Sequence, residues 1–365
     1  MKRNALLCIA GGGTGGHVMP ALALADAARD RWPELRVQFI GAERGLEARL
    51  LPERGENALL LRMHAVQGAG LTQRLRVLLW ELPRAILRIR RSWRDQRPDL
   101  LVGVGGYASV SGVLAALLCR IPVVLYEQNA MPGLVNRTLA RFCDAIMLGF
   151  EAARSRLPGR IRSIVTGNIV RRDIRRVSWQ THQPPRLLVM GGSQGAAVLN
   201  SQVPEACALL ARKGRRFFVS HIAGRDETAR SRAESVYRQA GIEARVLGFC
   251  DAMPEFYADG ELLIARAGAM TVSEAAAIGL PSILVPLPHA ADDHQRANAE
   301  SLGDGAIIID QSRLTPMLLA ATIEELLFDP ERLEAMHRRL KERAIEDAAE
   351  RQIGVLSDYL EEAVA

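Results

Sequence analysis

The stretch Leu262–Gln295 reads LLIARAGAMTVSEAAAIGLPSILVPLPHAADDHQ, and its first half decides the fold. Leu262-Leu263-Ile264 is a short apolar run of strand type, Ala267-Gly268-Ala269 turns the chain, and Thr271 to Ile278 has the composition of a helix. A helix therefore starts just past a strand end. N–H groups in a first helical turn lack intrahelical acceptors, and the aligned peptide dipoles add partial positive charge, so the Ala269-Met270-Thr271 corner suits a phosphate. Glu274 follows about one turn later, where a carboxylate can accept from two adjacent ribose hydroxyls. A phosphate seat with a diol acceptor describes a nucleotide. The same residues also fit a capping box, Thr271 as N-cap and Glu274 as its partner, and the segment alone leaves both readings open.

Working outward, the strand–glycine–helix unit recurs. Leu6–Ala10 feeds Gly11-Gly12-Gly13-Thr14-Gly15-Gly16-His17 and a helix from about Met19 to Trp32; Asp99–Val104 feeds Gly105-Gly106-Tyr107-Ala108-Ser109 and a helix to about Cys119. Arg186–Met190 feeds Gly191-Gly192-Ser193-Gln194-Gly195 and an alanine-rich helix. Between and after them, apolar runs such as Val123–Tyr126, Ala145–Leu148, Phe217–Ile222 and Ser282–Val285 alternate with helical patterns, which specifies parallel, doubly wound sheets. A chain of 365 residues with 48% hydrophobic residues is long enough for two cored domains. The expected architecture is α/β, two Rossmann-like domains: 1–170 completed by a C-terminal helix within 347–365, and 171–346. The polar run Ser178–Pro185, SWQTHQPP, reads as a linker.

The first glycine loop satisfies G-x-G-x-x-G, yet Gly41-Ala42 stands where a dinucleotide site wants an acid, with Glu43 late, and no Gly-Lys-Ser/Thr completes a Walker loop. His17 at the loop's mouth is either a general base or a helix-start residue bonded to the loop. Tyr107, Glu127 and Asn129 follow strand ends of the same sheet, where ligands of parallel sheets collect and where turn and capping residues also fall.

Thr72–Arg97, TQRLRVLLWELPRAILRIRRSWRDQR, sets leucines and isoleucines at helical spacings, broken by Pro83, among eight arginines, with Trp80 and Trp93 available as anchors. It fits an anionic membrane surface or an ordinary amphipathic helix packed on a sheet. No aromatic stacking platform points to nucleic acid. The five cysteines lack C-x-x-C spacing, which fits a reducing cytoplasm and argues against a zinc site, and the tract His289–His294 has no second ligand cluster, so no metal is expected. Arginines interrupt every apolar stretch long enough to approach a membrane span, and MKRNALLCIAGGG runs straight into a glycine loop, so it reads as a first strand, not an export signal.

Together, GGGTGGHVMPALALA (Gly11–Ala25), GVGGYAS (Gly103–Ser109), YEQNAMPGLVNR (Tyr126–Arg137), GNIVR (Gly167–Arg171), GGSQGA (Gly191–Ala196) and RAGAMTVSE (Arg266–Glu274) closely resemble the MurG family through nearly the whole chain. The resemblance implies a glycosyltransferase B fold, the two domains facing across a cleft, and transfer of N-acetylglucosamine from UDP-N-acetylglucosamine to lipid I, giving lipid II, without a cofactor. It implies that Glu274 holds the ribose, that Ser193 and Ala269-Met270-Thr271-Val272-Ser273 hold the diphosphate, and that Arg171 and Gln295 bind the nucleotide and the sugar hydroxyls. Cys250, where members often carry Ile, would contact the uracil; Thr14, Gly15, Gly16 and Asn129 would close over the donor; His17, Tyr107 and Glu127 would face the acceptor, with His17 as the first choice and Glu127 as the second for the base that takes the proton of the attacking hydroxyl. A peripheral site on the cytoplasmic face of the bacterial inner membrane, reached through Thr72–Arg97, is implied as well. The rival readings are a nicotinamide-dependent oxidoreductase or sugar-nucleotide epimerase, lowered by the missing Tyr-x-x-x-Lys pair, and a nucleotide-sugar sensor without catalysis.

Overall fold

The computed structural model describes residues 5–13, 15–64, 70–159, 161–192, 195–288 and 290–364. The chain forms two compact units, Met1–Ile169 with Asp347–Ala365, and Val170–Glu346. In the first, β1 (Leu6–Gly11), β2 (Arg36–Ala42), β3 (Ala58–Leu61), β4 (Leu100–Gly105), β5 (Val123–Glu127), β6 (Ala145–Leu148) and β7 (Ser163–Val165) alternate with helices. These are α1 (Gly15–Arg31), α2 (Glu47–Glu53), α3 (Leu71–Arg76), α4 (Leu82–Ser92), α5 (Tyr107–Leu118) and α6 (Leu134–Leu139). The strands pair in the order β3-β2-β1-β4-β5-β6-β7, all parallel. The order reverses between β1 and β4, so the carboxyl ends of those two strands, each carrying a glycine loop, flank the crevice where doubly wound sheets take ligands.

The strand period of two sorts β1 between two cores. Leu7 and Ile9 join α1 residues Leu22 and Ala25, whereas Cys8 and Ala10 join Ile89 of α4 and Val113 and Ala116 of α5. A strand covered on both faces is apolar throughout, which is why LLCIA shows no polar alternation.

The second unit repeats the plan with β8 (Arg186–Met190), β9 (Phe218–Ile222), β10 (Glu243–Leu247), β11 (Leu262–Ala265), β12 (Ser282–Leu284) and β13 (Ala306–Ile308), parallel in the order β10-β9-β8-β11-β12-β13. Its helices are α7 (Arg172–Arg175), α8 (Ala197–Arg212), α9 (Glu227–Gln239), α10 (Met253–Ala258), α11 (Ala269–Ile278), α12 (His294–Glu300), α13 (Pro316–Leu327) and α14 (Pro330–Arg343). Here the reversal falls between β8 and β11. The last helix, α15 (Ala348–Val364), belongs to the first unit: Ile353, Val355, Leu356 and Leu360 enter its core, and the buried Gln352 Nε2 donates to Gly167 O at 2.8 Å.

Two sequence expectations change. Ser178–Pro185 is no linker: the Trp179 ring stacks on His337 with centroids 4.6 Å apart, its Nε1 donates to Glu261 O at 3.0 Å, and His182 Nδ1 lies 2.7 Å from Glu261 Oε2. Composition marked the prolines and polar residues and passed over the two rings that bind this segment to the second unit. The other change is at Pro83, which does not break the basic helix. A π-helical turn, Val77–Glu81, joins α3 to α4, and Pro83 falls in the first turn of α4, where a missing N–H costs little.

Candidate active site

In the second unit, α11 starts immediately beyond β11 with Gly268 as its N-cap, and the first intrahelical bond runs from Val272 N to Gly268 O at 3.0 Å. Ala269, Met270 and Thr271 thus form the turn whose N–H groups have no partner within the helix. Thr271 lies inside the helix and is not the cap, which disposes of the capping box. Val272 is fully buried and its N–H is committed to Gly268 O, so, against the expectation, it offers a diphosphate no donor. Arg266 steadies the turn from behind, donating to Val285 O at 3.0 Å, Pro286 O at 3.1 Å and Gln311 Oε1 at 2.6 Å, while Asn298 Nδ2 donates to Ala267 O.

Glu274 is half-buried one turn along, and Tyr257 Oη of α10 donates to its Oε2 at 2.7 Å. Burial pushes its carboxyl up to about 7 from the usual 4.5, against the Tyr257 bond and the charge of Arg171, with Asp173 adding a smaller upward push. Arg171 spends its guanidinium on Asp173, with Nε to Oδ1 at 3.1 Å and Nη2 to Oδ2 at 2.6 Å, and that pair holds Asp173 below its ordinary range. Arg171, Asp173, Tyr257 and Glu274 form one charged cluster at the side of α11. Tyr257 and Asp173 were not among the sequence candidates; each lies remote from the motif it serves or pairs locally, and no spacing rule exposes them.

In the first unit the two glycine loops interlock. Gly12 N donates to Gly105 O at 3.3 Å, and a side chain on Gly106, whose φ is +81°, would meet Gly12 O at 2.5 Å. His17 is in the first turn of α1, which starts at Gly15 and not near Met19, and its ring lies over Gly105: a Cβ there would sit 2.9 Å from Nε2. Tyr107 opens α5, half-buried, one residue beyond Gly106. These backbones can approach only because both loops are glycine, which brings His17 and Tyr107 to one switch point.

Glu127 is placed differently from the expectation. It is only 2% exposed, and its two oxygens accept from Asn129 N (3.0 Å), Asn129 Nδ2 (3.2 Å), Gly133 N (2.9 Å) and Asn136 Nδ2 (2.9 Å). The carboxylate faces inward and ties down the turn that presents Asn129. Thr14 and Ser193 lie outside the described residues, as does His289. Gly15 and Gly16 form the start of α1; Cys250, half-buried, follows β10; Gln295 in α12 accepts Leu287 N at 3.0 Å through its side chain.

Residues 7–148 match the glycosyltransferase family 28 N-terminal domain and residues 186–352 the glycosyltransferase family 28 C-terminal domain. A protein of Anaeromyxobacter sp. (strain Fw109-5), named UDP-N-acetylglucosamine–N-acetylmuramyl-(pentapeptide) pyrophosphoryl-undecaprenol N-acetylglucosamine transferase, is 43% identical over 342 residues, 91% of this chain and 87% of its own. A Chromohalobacter salexigens protein of the same name is 42% identical over 94% of each chain. The fold is similar to the crystal structure of Acinetobacter baumannii MurG, with a TM-score of 0.79 and 29% identity, covering 97% of this chain and 99% of that one. The chain belongs to the MurG family.

Membership makes the two sheets a glycosyltransferase B fold and the chain a glycosyltransferase. In this MurG-family chain the helical face at Thr72–Arg97 is also changed from expectation. Trp93 is buried, 5% exposed, its Nε1 donating to Gln38 Oε1 at 3.0 Å, so it is a core residue and not a surface anchor. Leu75, Leu78, Leu79, Trp80 and Leu87 remain exposed, and the π turn puts Leu78, Leu79 and Trp80 outward in succession. Glu81 turns inward to His64, accepting from its N at 3.0 Å, which removes one of the segment's two acids from the outer face. Among the described residues no group of three or more His, Cys, Asp and Glu could hold a metal ion, and no helix is long and apolar enough to cross a membrane.

Proposed function

We propose that the chain moves N-acetylglucosamine from UDP-N-acetylglucosamine to the 4-hydroxyl of the N-acetylmuramoyl-pentapeptide of lipid I, producing lipid II with inversion at the anomeric carbon. The observation that carries the reading is Glu274 poised beyond the start of α11 at the β8/β11 switch point, a diol acceptor beside an anion seat. The printed names of relatives at 42–43% identity support it.

Each unit has its own part. In the second, Glu274 accepts from the ribose hydroxyls, Arg171 lies beside the nucleotide, and the N–H groups of Ala269, Met270 and Thr271, with Ser193, receive the diphosphate. Cys250 reaches the uracil and Gln295 the sugar hydroxyls. In the first, His17 and Tyr107 meet the acceptor, while Gly15, Gly16, Thr14 and Asn129 close on the donor sugar. Glu127 serves by fixing Asn129.

The muramoyl O4 attacks the anomeric carbon as the bond to the UDP oxygen breaks. That oxygen leaves with the electron pair, and the O4 proton passes to His17. Charge grows on the leaving diphosphate, so the dipole of α11, already aimed at it, stabilises the transition state more than the ground state. Incubating the protein with UDP-N-acetylglucosamine and a lipid I analogue tests the reaction: UDP release that requires the acceptor is expected. Release independent of the acceptor, or none, would overturn it.

The acceptor is carried on a polyprenyl lipid, and we assign the α3–α4 face to an anionic leaflet on the cytoplasmic side of the inner membrane. Arg76, Arg84, Arg88, Arg90, Arg91, Arg94 and Arg97 are exposed around the leucines, and the Arg84 guanidinium lies 5.5 Å from the Trp80 ring. Each arginine near such a surface contributes about 1 kcal/mol, and each leucine that enters it about 1.5–3 kcal/mol. Replacing Leu78 and Leu79 together by glutamate is expected to cut sedimentation with phosphatidylglycerol vesicles at least tenfold while leaving UDP binding unchanged. Sedimentation indifferent to anionic lipid and to salt would reject the assignment.

A further inference from the structure

Beneath the first glycine loop is a carboxylate with no place in the chemistry above. Glu47, the first residue of α2, is 1% exposed. Its Oε2 accepts Gly13 N at 2.8 Å and its Oε1 accepts Ala42 N at 2.8 Å, and no lysine, arginine or histidine pairs with it among the described residues. Side chains on Gly12, Gly41 or Gly45 would collide with it, so a glycine of the first loop, one near the end of β2 and one in the turn after it clear its cradle. Burying a carboxylate on backbone N–H groups alone is costly compared with an apolar residue in the same space, and the site is built for charge, not for packing.

The loop it occupies has the G-x-G-x-x-G form that elsewhere cradles a pyrophosphate on its own N–H groups. Here the two donors at the bend of the loop are engaged: Gly12 N by Gly105 O, and Gly13 N by Glu47. Both substrates of the proposed reaction carry diphosphates, so a vacant anion seat beside His17 would compete with the neutral hydroxyl that must lie there.

We propose that Glu47 is the resident anion of the first glycine loop. It takes the N–H that a phosphate would otherwise take, reserves the loop for uncharged sugar hydroxyls, and holds the backbone that leads to His17. Glu47 is a positioning and specificity residue; it touches neither substrate. The inference rests on the proposed transfer for its purpose, and its binding test requires no turnover.

The test uses the full chain saturated with UDP, so that the second unit is occupied, and inorganic pyrophosphate as probe. In the parent protein, pyrophosphate should bind no further by calorimetry and leave the His17 imidazole proton resonance, assigned with His17→Asn, unmoved. Glu47→Gln keeps the shape and loses the charge. It should gain pyrophosphate binding, shift the His17 resonance, and show kcat lowered at least tenfold with the donor KM within twofold. A purely structural residue would give no gained binding, and that outcome overturns the proposal, as does a donor KM rising with the fall in kcat. If Glu47→Gln does not fold by circular dichroism, the parent decides: a His17 shift on adding pyrophosphate to the UDP complex overturns the inference, and its absence supports it. Failure of acceptor-dependent UDP release alone would strike the transfer reading and leave the binding result standing.

Discussion

Replacing His17 by alanine lowers kcat by about 10²–10⁴-fold, the range that a positioned general base supplies, and leaves the UDP dissociation constant within twofold. The split follows from where the ring is. His17 belongs to the first unit and lies over Gly105, whereas the nucleotide contacts assigned here all belong to the second. Steady-state kinetics with the lipid I analogue, beside calorimetry with UDP, measures both. A variant that keeps its turnover removes His17 from the base role, and Glu127 cannot take its place, with both oxygens committed to the Asn129–Asn136 turn. Glu127→Gln is accordingly the weaker change, acting through Asn129.

The second large effect is at Glu274. Two hydrogen bonds to a charged acceptor contribute about 1.5–3 kcal/mol each, so Glu274→Ala should weaken UDP binding by roughly two orders of magnitude or more. The carboxylate must be ionised to accept both hydroxyls. With its free-protein value near 7, UDP affinity should be level above that pH and fall about tenfold per unit below it. Tyr257→Phe removes a donor that favours the ionised form, and should move the midpoint higher. The stability effect has the opposite sign. A carboxyl raised from 4.5 to about 7 on folding costs stability that grows as pH rises through that interval and is complete above it, on the order of 3 kcal/mol. Glu274→Gln should therefore be more resistant to urea at pH 8 while binding UDP more weakly. An affinity flat from pH 5.5 to 8 would remove Glu274 from the ribose.

Much of this was legible in the strands. Buried parallel strands are apolar runs with glycine at or just beyond their ends, and LLCIAG, LLVGVG and LLIA announce themselves without tertiary information. The helix start after Leu262–Ala265 was likewise readable, though Gly268 caps it where Thr271 had been a candidate. What escaped was pairing over distance. The partner of Glu274 is a tyrosine on the preceding helix, Trp93 faces inward to Gln38, and the glycines around Glu47 come from the first loop and from the end of β2 with the turn after it. Side-chain direction depends on which elements pack together, and local periodicity does not carry it. Glu127 shows the same limit: a strand-end acid has the same sequence signature whether it points at a ligand or at its own turn.

The α15 helix bears on how the protein is made. The first unit keeps Leu356 and Leu360 in its core, and the ribosome reaches them only after the whole of Val170–Glu346 has been synthesised. At translation rates of 5–20 residues per second that interval is roughly ten to forty seconds. Throughout it, the apolar side of α1 that α15 will cover lies open on a tethered, unfinished half, within reach of trigger-type chaperones and of neighbouring nascent chains.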